Sequence, residues 1–428
     1  MIFYICAILF FFSTPTFAEF DYSAEIGTKL RLFEDDEKSY SNDYQLDLKS
    51  KLQADYEVDQ YRLHIGFFAR VDQNDSQRNI INFDELYLLR TFNNFSVNVG
   101  NNIFNWSVME IFHPVDTINS KNFDSNGDLA ERLGQSSLIL KYEFENSFFE
   151  GILFISSQKS IMPGESNRNG ALIEFRNPKF VNGNKDVSSR SDMLQYVLRY
   201  QHSFDFADID FHYARKYDTN NPLISSPVTK NTSPTIEQLE ITPYFMRMQQ
   251  YGLTVQANYD AYLLKIEHAH FDYDDDSVDL FIPPISLIEN SKEDFSLTAI
   301  GLERTFTYKN DHEGTLFIEY QTILGTTIEE ARILSPFQRD MAIGYRHNYN
   351  DFNGNETVAF IISDVDHGEE RIYSLSHSFR LWSDWKFEGG IRIIEAQNPS
   401  STLSLSNFEG LRSIANGDSL NIELTRFF

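Results

Sequence analysis

The sequence has almost no cysteine, because its single cysteine, Cys6, lies in an apolar N-terminal segment. Without that segment the chain has no thiol for a disulfide, a cysteine–zinc site or a cysteine nucleophile. Long apolar runs are also lacking, since no stretch after Ala18 approaches the roughly 18 apolar residues that a membrane-spanning helix needs. These absences exclude a disulfide-bonded scaffold and a helical membrane domain after Ala18.

The N-terminal segment has the form of a cleaved export signal. Residues 2–12 are an apolar run too short to span a bilayer, and small residues follow, ending at Ala18. Residues 1–10 contain no Lys or Arg, so the usual basic start of a signal is missing, and an uncleaved anchor is the alternative. We predict a signal peptide over 1–18 and a single domain over 19–428.

Positive charge is scarce, because 36 Lys and Arg stand against 63 Asp and Glu, giving a net charge of −27. Phosphate repels such a surface, which excludes nucleic acid as a partner. The mean hydropathy of −0.38 is typical of a soluble protein. A transmembrane β-barrel escapes that test, because its lipid-facing and lumen-facing residues alternate. The aromatic content of 15% suits the aromatic girdles of such a barrel.

Apolar and polar residues alternate with a period of two, as strands with one apolar face require. The alternation is clear in 20–32, 44–56 and 61–71, each about twice the length of an average soluble strand. Further strands are predicted near 79–92, 95–103, 136–144, 147–157, 192–202, 204–216, 246–259, 262–271, 296–306, 313–321, 340–349, 356–363, 371–381, 385–395 and 419–428. Two of them, 79–92 and 296–306, have poor phase, so the sequence does not define which way their side chains face.

The connections between these segments alternate between long and short. The long ones are 33–43, 73–78, 104–135, 158–191, 217–245, 272–295, 322–339, 364–370 and 396–418. The short ones lie near 57–60, 93–94, 145–146, 203, 260–261, 307–312, 350–355 and 382–384. Tight periplasmic turns alternating with longer extracellular loops are typical of outer-membrane barrels. We predict an all-β transmembrane antiparallel up-and-down β-barrel of about 18 strands (16–18), with both termini periplasmic.

The C-terminal segment places Leu420, Ile422, Leu424 and Phe428 on one face. This pattern resembles the terminal signal by which the barrel-assembly machinery recognises its clients. Arg426 departs from this pattern, because such clients prefer an apolar or aromatic residue at its position. A long arginine side chain can nevertheless extend to the membrane–water interface.

Charged residues on the polar strand faces would line a water-filled lumen, which a barrel of this size is wide enough to hold. The residues predicted to line the pore are Lys29, Arg31, Lys49, Lys51, Arg62, Arg70, Arg199, Lys265, Glu267, Arg346, Arg380, Lys386 and Arg392. The same faces also carry carboxylates, which are Asp21, Glu25, Asp43, Asp47, Asp55, Asp72, Asp208, Asp210, Glu388 and Glu423. Because the two signs roughly balance on these faces, the surplus negative charge must lie mostly in loops.

Three loops carry that surplus as carboxylate clusters. They contain Glu34, Asp35, Asp36, Glu37, Asp272, Asp274, Asp275, Asp276, Asp279, Asp364, Asp366, Glu369 and Glu370. Such clusters could hold Ca²⁺ or Mg²⁺, which prefer oxygen ligands. The alternative is a solvated acidic rim, and no EF-hand spacing is present. No other cofactor is expected.

Residues 84–120 carry a motif beyond the strand pattern. It consists of Glu85, Leu86, Tyr87 and Leu88, followed by Gly100, Trp106, Asp116, Ile118 and Asn119. The segment resembles one found in a largely uncharacterised group of porin-like outer-membrane proteins, similar in outline to alginate-export and other substrate-selective porins. Asn102 and Ser107 stand where that group has Gln and Gly. The resemblance implies a barrel, an outer-membrane location and transport, without naming a solute.

Residues 104–135 are a candidate constriction loop that folds into the lumen, because its aromatic side chains are costly to expose on a free outer loop. The alternative is a self-packed surface loop. The residues predicted to act at the constriction are Trp106, Glu110, His113, Asp116 and Asn119.

No catalytic motif of the GxSxG, HExxH or phosphate-loop type occurs, so we predict that the chain is not an enzyme. His268 and His270 share a strand face, which suits either a metal edge or a structural role. The predicted function is passive or substrate-selective diffusion of small hydrophilic solutes. The alternatives are a lipid- or polysaccharide-export component, a barrel hydrolase, and an adhesin or structural barrel. Expected partners are outer-membrane lipid and lipopolysaccharide, the barrel-assembly machinery and the solute.

Overall fold

The structure is a computed structural model. It describes residues 18–34, 43–124, 131–164, 167, 173–224, 228–233, 236–282, 286–396, 410–415 and 417–428. Apart from Ala18, the predicted signal peptide lies outside these residues, as do Asp35, Asp36 and Glu37 of the first acidic loop.

Eighteen antiparallel strands form one closed sheet. They are β1 (Ala18–Phe33), β2 (Tyr44–Val58), β3 (Tyr61–Asp72), β4 (Ile80–Phe92), β5 (Phe95–Asn102), β6 (Gln135–Glu143), β7 (Ser147–Phe154), β8 (Tyr196–Ser203), β9 (Ala207–Tyr217), β10 (Arg247–Tyr259), β11 (Tyr262–Tyr273), β12 (Phe295–Thr307), β13 (Glu313–Leu324), β14 (Arg339–Asn348), β15 (Glu356–Asp364), β16 (Arg371–Trp382), β17 (Trp385–Glu395) and β18 (Ser419–Phe427). Each strand pairs with the next along the chain, and β18 pairs with β1. The predicted barrel fold is therefore confirmed, including the two strands of poor phase, which are β4 and β12.

The barrel has a short-turn end and a long-loop end. At the short-turn end the turns between β2 and β3, β4 and β5, and β10 and β11 place Asp59, Asn93 and Asp260 at positive φ of 53°, 49° and 54°. Asp and Asn tolerate this backbone conformation better than most residues, which suits them to tight hairpins. β1 begins and β18 ends at the same end, and the long connections all leave the other end.

The apolar side chains of the strands point away from the barrel axis. Leu48, Leu198 and Ile300 are 56%, 55% and 49% exposed, although they lie in the middle of paired strands. Aromatic side chains surround the short-turn end, where Tyr259 and Trp382 are 82% and 66% exposed. An apolar band bordered by aromatic residues is the outer surface that a lipid bilayer requires.

The long loops contain the remaining elements. A short helix, α1 (Ile328–Leu334), begins with a capping box formed by Thr327 and Glu330. Short strands lie at Lys121–Asn122, Glu131–Arg132, Ile173–Phe175, Lys179–Val181, Val187–Ser188, Leu223–Ile224, Val228–Ser233, Ile236–Ile241, Pro243–Phe245, Val278–Ile282 and Ser286–Asn290, and 3₁₀ turns at Ser76–Arg78 and Gly410–Ile414. Among the described residues, no helix is long and apolar enough to cross a bilayer.

The C-terminal strand presents its predicted assembly residues outward. Leu420, Ile422 and Phe428 are exposed, whereas Leu424 is half-buried. Arg426 shares their face, but its Nε lies 3.2 Å from a carboxylate oxygen of Asp384 in the neighbouring short turn. The arginine therefore places its charge at the short-turn end rather than in the apolar band. Recognition by the assembly machinery stays a prediction.

Candidate functional site

Residues 103–120, called the inner segment below, leave β5 and pack against side chains that face the lumen. The ring of Phe104 lies 6.2 Å from that of Phe154 on β7, and the ring of Trp106 lies 5.0 Å from that of His212 on β9. Buried Met109 and Phe112 join a cluster with Ala299 of β12. Since these partners belong to separate strands of the wall, the inner segment lies inside the barrel.

Glu267 of β11 holds the first half of the inner segment. One carboxylate oxygen accepts hydrogen bonds from the Ser107 hydroxyl at 2.7 Å and from the backbone N–H groups of Val108 and Met109 at 2.5 and 3.1 Å. The other oxygen accepts one from the backbone N–H of Val115 at 3.4 Å. The carboxylate thereby satisfies backbone donors that would otherwise be buried without partners.

Glu319 of β13 holds the next turn of the same segment. Its oxygens accept hydrogen bonds from the backbone N–H groups of Glu110, Ile111 and Phe112 at 2.6, 2.9 and 3.1 Å. Between the two anchoring strands, Gly301 of β12 leaves room for the segment. A Cβ at that position would lie 3.0 Å from the sulfur of Met109. The two carboxylates and the glycine together form a receptor for the segment on the wall.

Polar side chains close the base of the inner segment. The Asn119 amide accepts from the Phe104 N–H at 3.1 Å and donates to the Phe104 carbonyl at 2.5 Å. The Thr117 hydroxyl donates to Gln250 of β10 at 2.6 Å, and the Asn220 amide donates to the carbonyls of Thr117 and Asn119. The segment is thus held by named hydrogen bonds along its whole length.

Glu110 points from the inner segment to two cations of the wall. Its carboxylate lies 2.6 Å from the Arg346 guanidinium and 3.4 Å from the Lys265 ammonium. Burial opposes ionisation of Glu110, but the two cations outweigh it and hold the pKa below its ordinary value. Lys265 also pairs with Glu303 of β12. Charges of both signs therefore meet where Glu110 of the segment reaches the wall.

The structure brings part of the predicted pore lining to the inner segment. Lys265, Glu267 and Arg346 contact it as described, and the Arg199 guanidinium carbon lies 4.6 Å from the centre of the Trp106 ring. The other predicted residues lie elsewhere on inward strand faces. They are Lys29, Arg31, Lys49, Lys51, Arg62, Arg70, Arg380, Lys386 and Arg392.

Several of these distant cations have acidic partners. Lys49 lies 2.5 Å from Glu423, and Arg62 lies 2.7 Å from Asp55.

Of the predicted constriction residues, Asp116 pairs with Arg132 at 2.9 Å. All five predicted constriction residues belong to the inner segment.

The sequence did not indicate three wall residues that hold the segment: Glu319, Gln250 and His212. Each is buried on the inward face of its strand. The alternation of apolar and polar residues could have indicated Glu319, because it places this carboxylate on the inward face of a strand with few other charges. A carboxylate buried there needs a partner. Which loop supplies that partner does not follow from a strand pattern.

His268 and His270 face outward, away from the lumen. Their ring nitrogens lie 2.8 Å from the Thr298 hydroxyl and 2.9 Å from the Ser296 hydroxyl of β12. Throughout the part of the chain that the structure describes, no three His, Asp or Glu side chains form a preformed metal site. These contacts suit the structural role, in which neighbouring hydroxyls satisfy the imidazoles.

The second acidic loop forms ion pairs with two wall residues and with a lysine of another long loop. Asp274 lies 2.6 Å from Arg215, and Asp276 lies 2.6 Å from Arg247. Asp279 lies 2.9 Å from Lys185. The cation binding predicted for the acidic loops stays a prediction.

The chain matches no protein-family profile and no curated protein sequence. Among solved structures, OccD3 (OpdP) of Pseudomonas aeruginosa matches with a TM-score of 0.50 and 10% identity, over 96% of this chain and 90% of that chain. A loop L8 deletion mutant of OmpT, an outer membrane protein of Vibrio cholerae, matches with a TM-score of 0.42 and 10% identity, over 96% and 99%. A triple mutant of Rhodopseudomonas blastica porin matches with a TM-score of 0.43 and 11% identity, over 96% and 100%. The match to OccD3 supports the closed barrel fold.

Acidification should loosen the inner segment through His113. Burial lowers the pKa of this imidazole to about 4. The positive charges of Lys121 and Arg132 lower this pKa further, whereas the nearby carboxylate of Asp116 raises it. In a released segment the His113 side chain would be protonated near pH 6.5, whereas in the docked segment it stays neutral down to about pH 4. Docking should therefore weaken by about tenfold per pH unit below 6.5.

Conductance recorded between pH 7 and pH 5 checks this expectation. We expect the wild type to conduct more as the pH falls through this window. The His113→Gln variant should lose most of that dependence. Equal pH profiles for the two proteins would contradict the role of His113.

Proposed function

We propose that the chain is a porin-like channel of the bacterial outer membrane, through which small hydrophilic solutes diffuse passively or selectively. The closed barrel, with its apolar outer face and charged inner face, supports a water-filled path across a bilayer. We also propose that the chain belongs with the porin-like group described above, because Glu85–Leu88 and Gly100 resemble part of that group's motif. Export through a cleaved signal peptide over 1–18 is part of the same proposal.

The observation that carries the proposal is the asymmetry of the lumen. Under the inner segment, Glu267 and Glu319 are 0% and 1% exposed. On the other side, the inward-facing side chains of Lys51 and Glu388 are 55% and 50% exposed. Side chains that face inward and still contact water line an open space, so a solute would pass between the inner segment and the wall of β16, β17, β18 and β1 to β4.

Planar-bilayer recording of the purified, refolded protein tests the proposal. We expect discrete conductance steps in KCl and no hydrolysis of phospholipid or peptide. If folded and inserted protein shows no conductance, the result would contradict a channel. Hydrolysis in place of conductance would indicate a barrel enzyme, and co-purification with periplasmic components would indicate an export system.

Removing the charge of Glu110 should shift the ion selectivity toward anions. The Glu110→Gln variant leaves Arg346 without its carboxylate partner and Lys265 with Glu303 alone, so this region gains net positive charge. The reversal potential in a KCl gradient measures the shift. The control is Glu388→Gln, which removes one carboxylate from the open side, where its partner is the exposed Lys386. An equal shift in both variants would show that Glu110 has no special position in the path.

A further inference from the structure

Asp340, the second residue of β14, is a buried carboxylate whose oxygens are poorly satisfied. It is 0% exposed, and among the described residues neither oxygen accepts a hydrogen bond of good geometry, although the backbone N–H groups of Gln338 and Arg339 lie near it. Two residues earlier, the side chain of Gln338 is 2% exposed, and its amide oxygen is also without a partner. Buried oxygens of this kind cost free energy unless a donor or a cation satisfies them.

The strand register places a second carboxylate beside Asp340. Asp340 is directly opposite Asp364 of β15 and Gln321 of β13, so all three side chains share the inward face. Directly opposed like charges destabilise a sheet. Asp364 accepts hydrogen bonds from the backbone N–H groups of Asp366 and His367 at 2.7 and 2.8 Å, which suits its charged form.

One arginine of α1 neutralises only part of this cluster. Arg332 lies 2.8 Å from Glu370 and 3.5 Å from Asp364. It also donates to His367 at 2.9 Å, which requires the accepting nitrogen of that ring to be unprotonated. With Asp340, Asp364 and Glu370 all ionised, as they would be around a bound cation, the three carboxylates and Arg332 together carry two negative charges. A single divalent cation would balance them.

We propose that Asp340 and Gln338 bind one Ca²⁺ ion at the long-loop end of the barrel. The three unpartnered oxygens, from one carboxylate and one amide, are the ligand types that Ca²⁺ takes. Asp364 is the neighbouring acid, and its oxygen already accepts from the Gln338 amide nitrogen, which turns the Gln338 oxygen away from Asp364. Water would supply the other positions of the 6–8 that Ca²⁺ takes, and Ca²⁺ is favoured over Mg²⁺ because it accepts irregular geometry, whereas Mg²⁺ demands a near-ideal octahedron.

The ion would join parts of the structure that are distant in sequence. Gln338 ends the connection that contains α1, and Asp364 begins the loop that contains Glu370. Glu370 also accepts from the backbone N–H of Leu411 at 3.3 Å, in the last long connection. Bound Ca²⁺ would therefore stabilise three long loops together. The inference is independent of whether the barrel conducts.

Calorimetric titration of the refolded full chain with Ca²⁺, after treatment with a chelator, tests the site. We expect wild-type protein to take up an ion that equal Mg²⁺ does not displace, and its thermal unfolding temperature to rise with Ca²⁺. Asp340→Asn should weaken Ca²⁺ binding by about 100-fold or more, because it removes the unpaired ligand charge. Asp384→Asn is the matched control, since Asp384 lies at the short-turn end, paired with exposed Arg426 at 3.2 Å, and its loss should leave binding unchanged.

A second variant keeps the test decisive if Asp340→Asn fails to fold. Gln338→Met keeps the length of the side chain and removes the amide oxygen, and it should weaken binding by about tenfold or more. Wild-type protein that does not bind Ca²⁺ would overturn the proposal. Ca²⁺ binding that survives in folded Asp340→Asn would overturn it as well.

Discussion

Replacing Glu267 and Glu319 together by glutamine should raise the single-channel conductance by about twofold or more, because the inner segment is released from the wall. Each carboxylate accepts hydrogen bonds from neighbouring backbone N–H groups of the segment. A glutamine side chain offers only one acceptor oxygen and turns its NH₂ group toward the same N–H donors. Planar-bilayer recording of the double variant measures the effect.

The expected size follows from the strength of such bonds. A hydrogen bond to a charged group contributes about 1.5–3 kcal/mol, so losing one at each carboxylate weakens docking by about 3–6 kcal/mol. Every 1.4 kcal/mol is about tenfold in an equilibrium, which makes the released state more than about 100-fold more populated. The segment would then be detached from the wall for a much larger fraction of the time.

The control removes the same number of carboxylates from the open side of the lumen. Glu57→Gln with Glu388→Gln takes away two inward charges whose partners are Arg62 and Lys386. This control should alter ion selectivity with little change in conductance. If both double variants conduct alike, the carboxylates do not hold the constriction and the segment is fixed by other contacts.

Gly100→Ala should destabilise the barrel severely. Gly100 lies in β5 at a φ of +147°, a conformation that side chains rarely adopt. A Cβ there would lie 2.1 Å from the carbonyl oxygen of Leu86 and 2.6 Å from the Cα of Tyr87. Because both are backbone atoms of the paired strand β4, neither can move without breaking the pairing. We expect a loss of about 3–5 kcal/mol or failure to assemble.

Urea unfolding of refolded protein, with folded and unfolded barrels separated by their gel mobility, measures this loss. Gly151→Ala is the matched control, because a Cβ at Gly151 of β7 would have no atom within 4 Å. That variant should refold with nearly the wild-type urea midpoint. A Gly100→Ala protein with the same midpoint would show that β4 and β5 tolerate a wider separation.

The strands and their connections could be predicted because both leave local signals. Alternation along 44–56 and 61–71 fixed which residues face lipid, and the tight turn at Asp59 lies where the pattern breaks. Even β4 was located, although a register shift beside Gly66 and Phe67 interrupts its pairing with β3. That shift explains its poor phase, since a bulge moves the following side chains to the other face.

The loop side of the candidate site could be predicted from the sequence, but its wall side only in part. Trp106 and Glu110 lie in one continuous stretch of the sequence, whereas their partners His212 and Glu319 lie on strands far along the chain. The pairing of Asp340 with Asp364 has the same origin, because it depends on the register of two strands. Contacts of this kind follow from closure of the barrel and leave no local pattern.

Neighbouring strands in space are also neighbours in sequence everywhere except where β18 meets β1. There the Phe428 N–H donates to the Ala24 carbonyl at 2.9 Å, so the two extremities of the sheet are already hydrogen-bonded. A short peptide linker could join the end of β18 to the start of β1, and new chain ends could be made at the turn that contains Asp260. The order of synthesis would change, but every strand would keep its partners. The sheet is therefore suited to circular permutation at any of its tight turns.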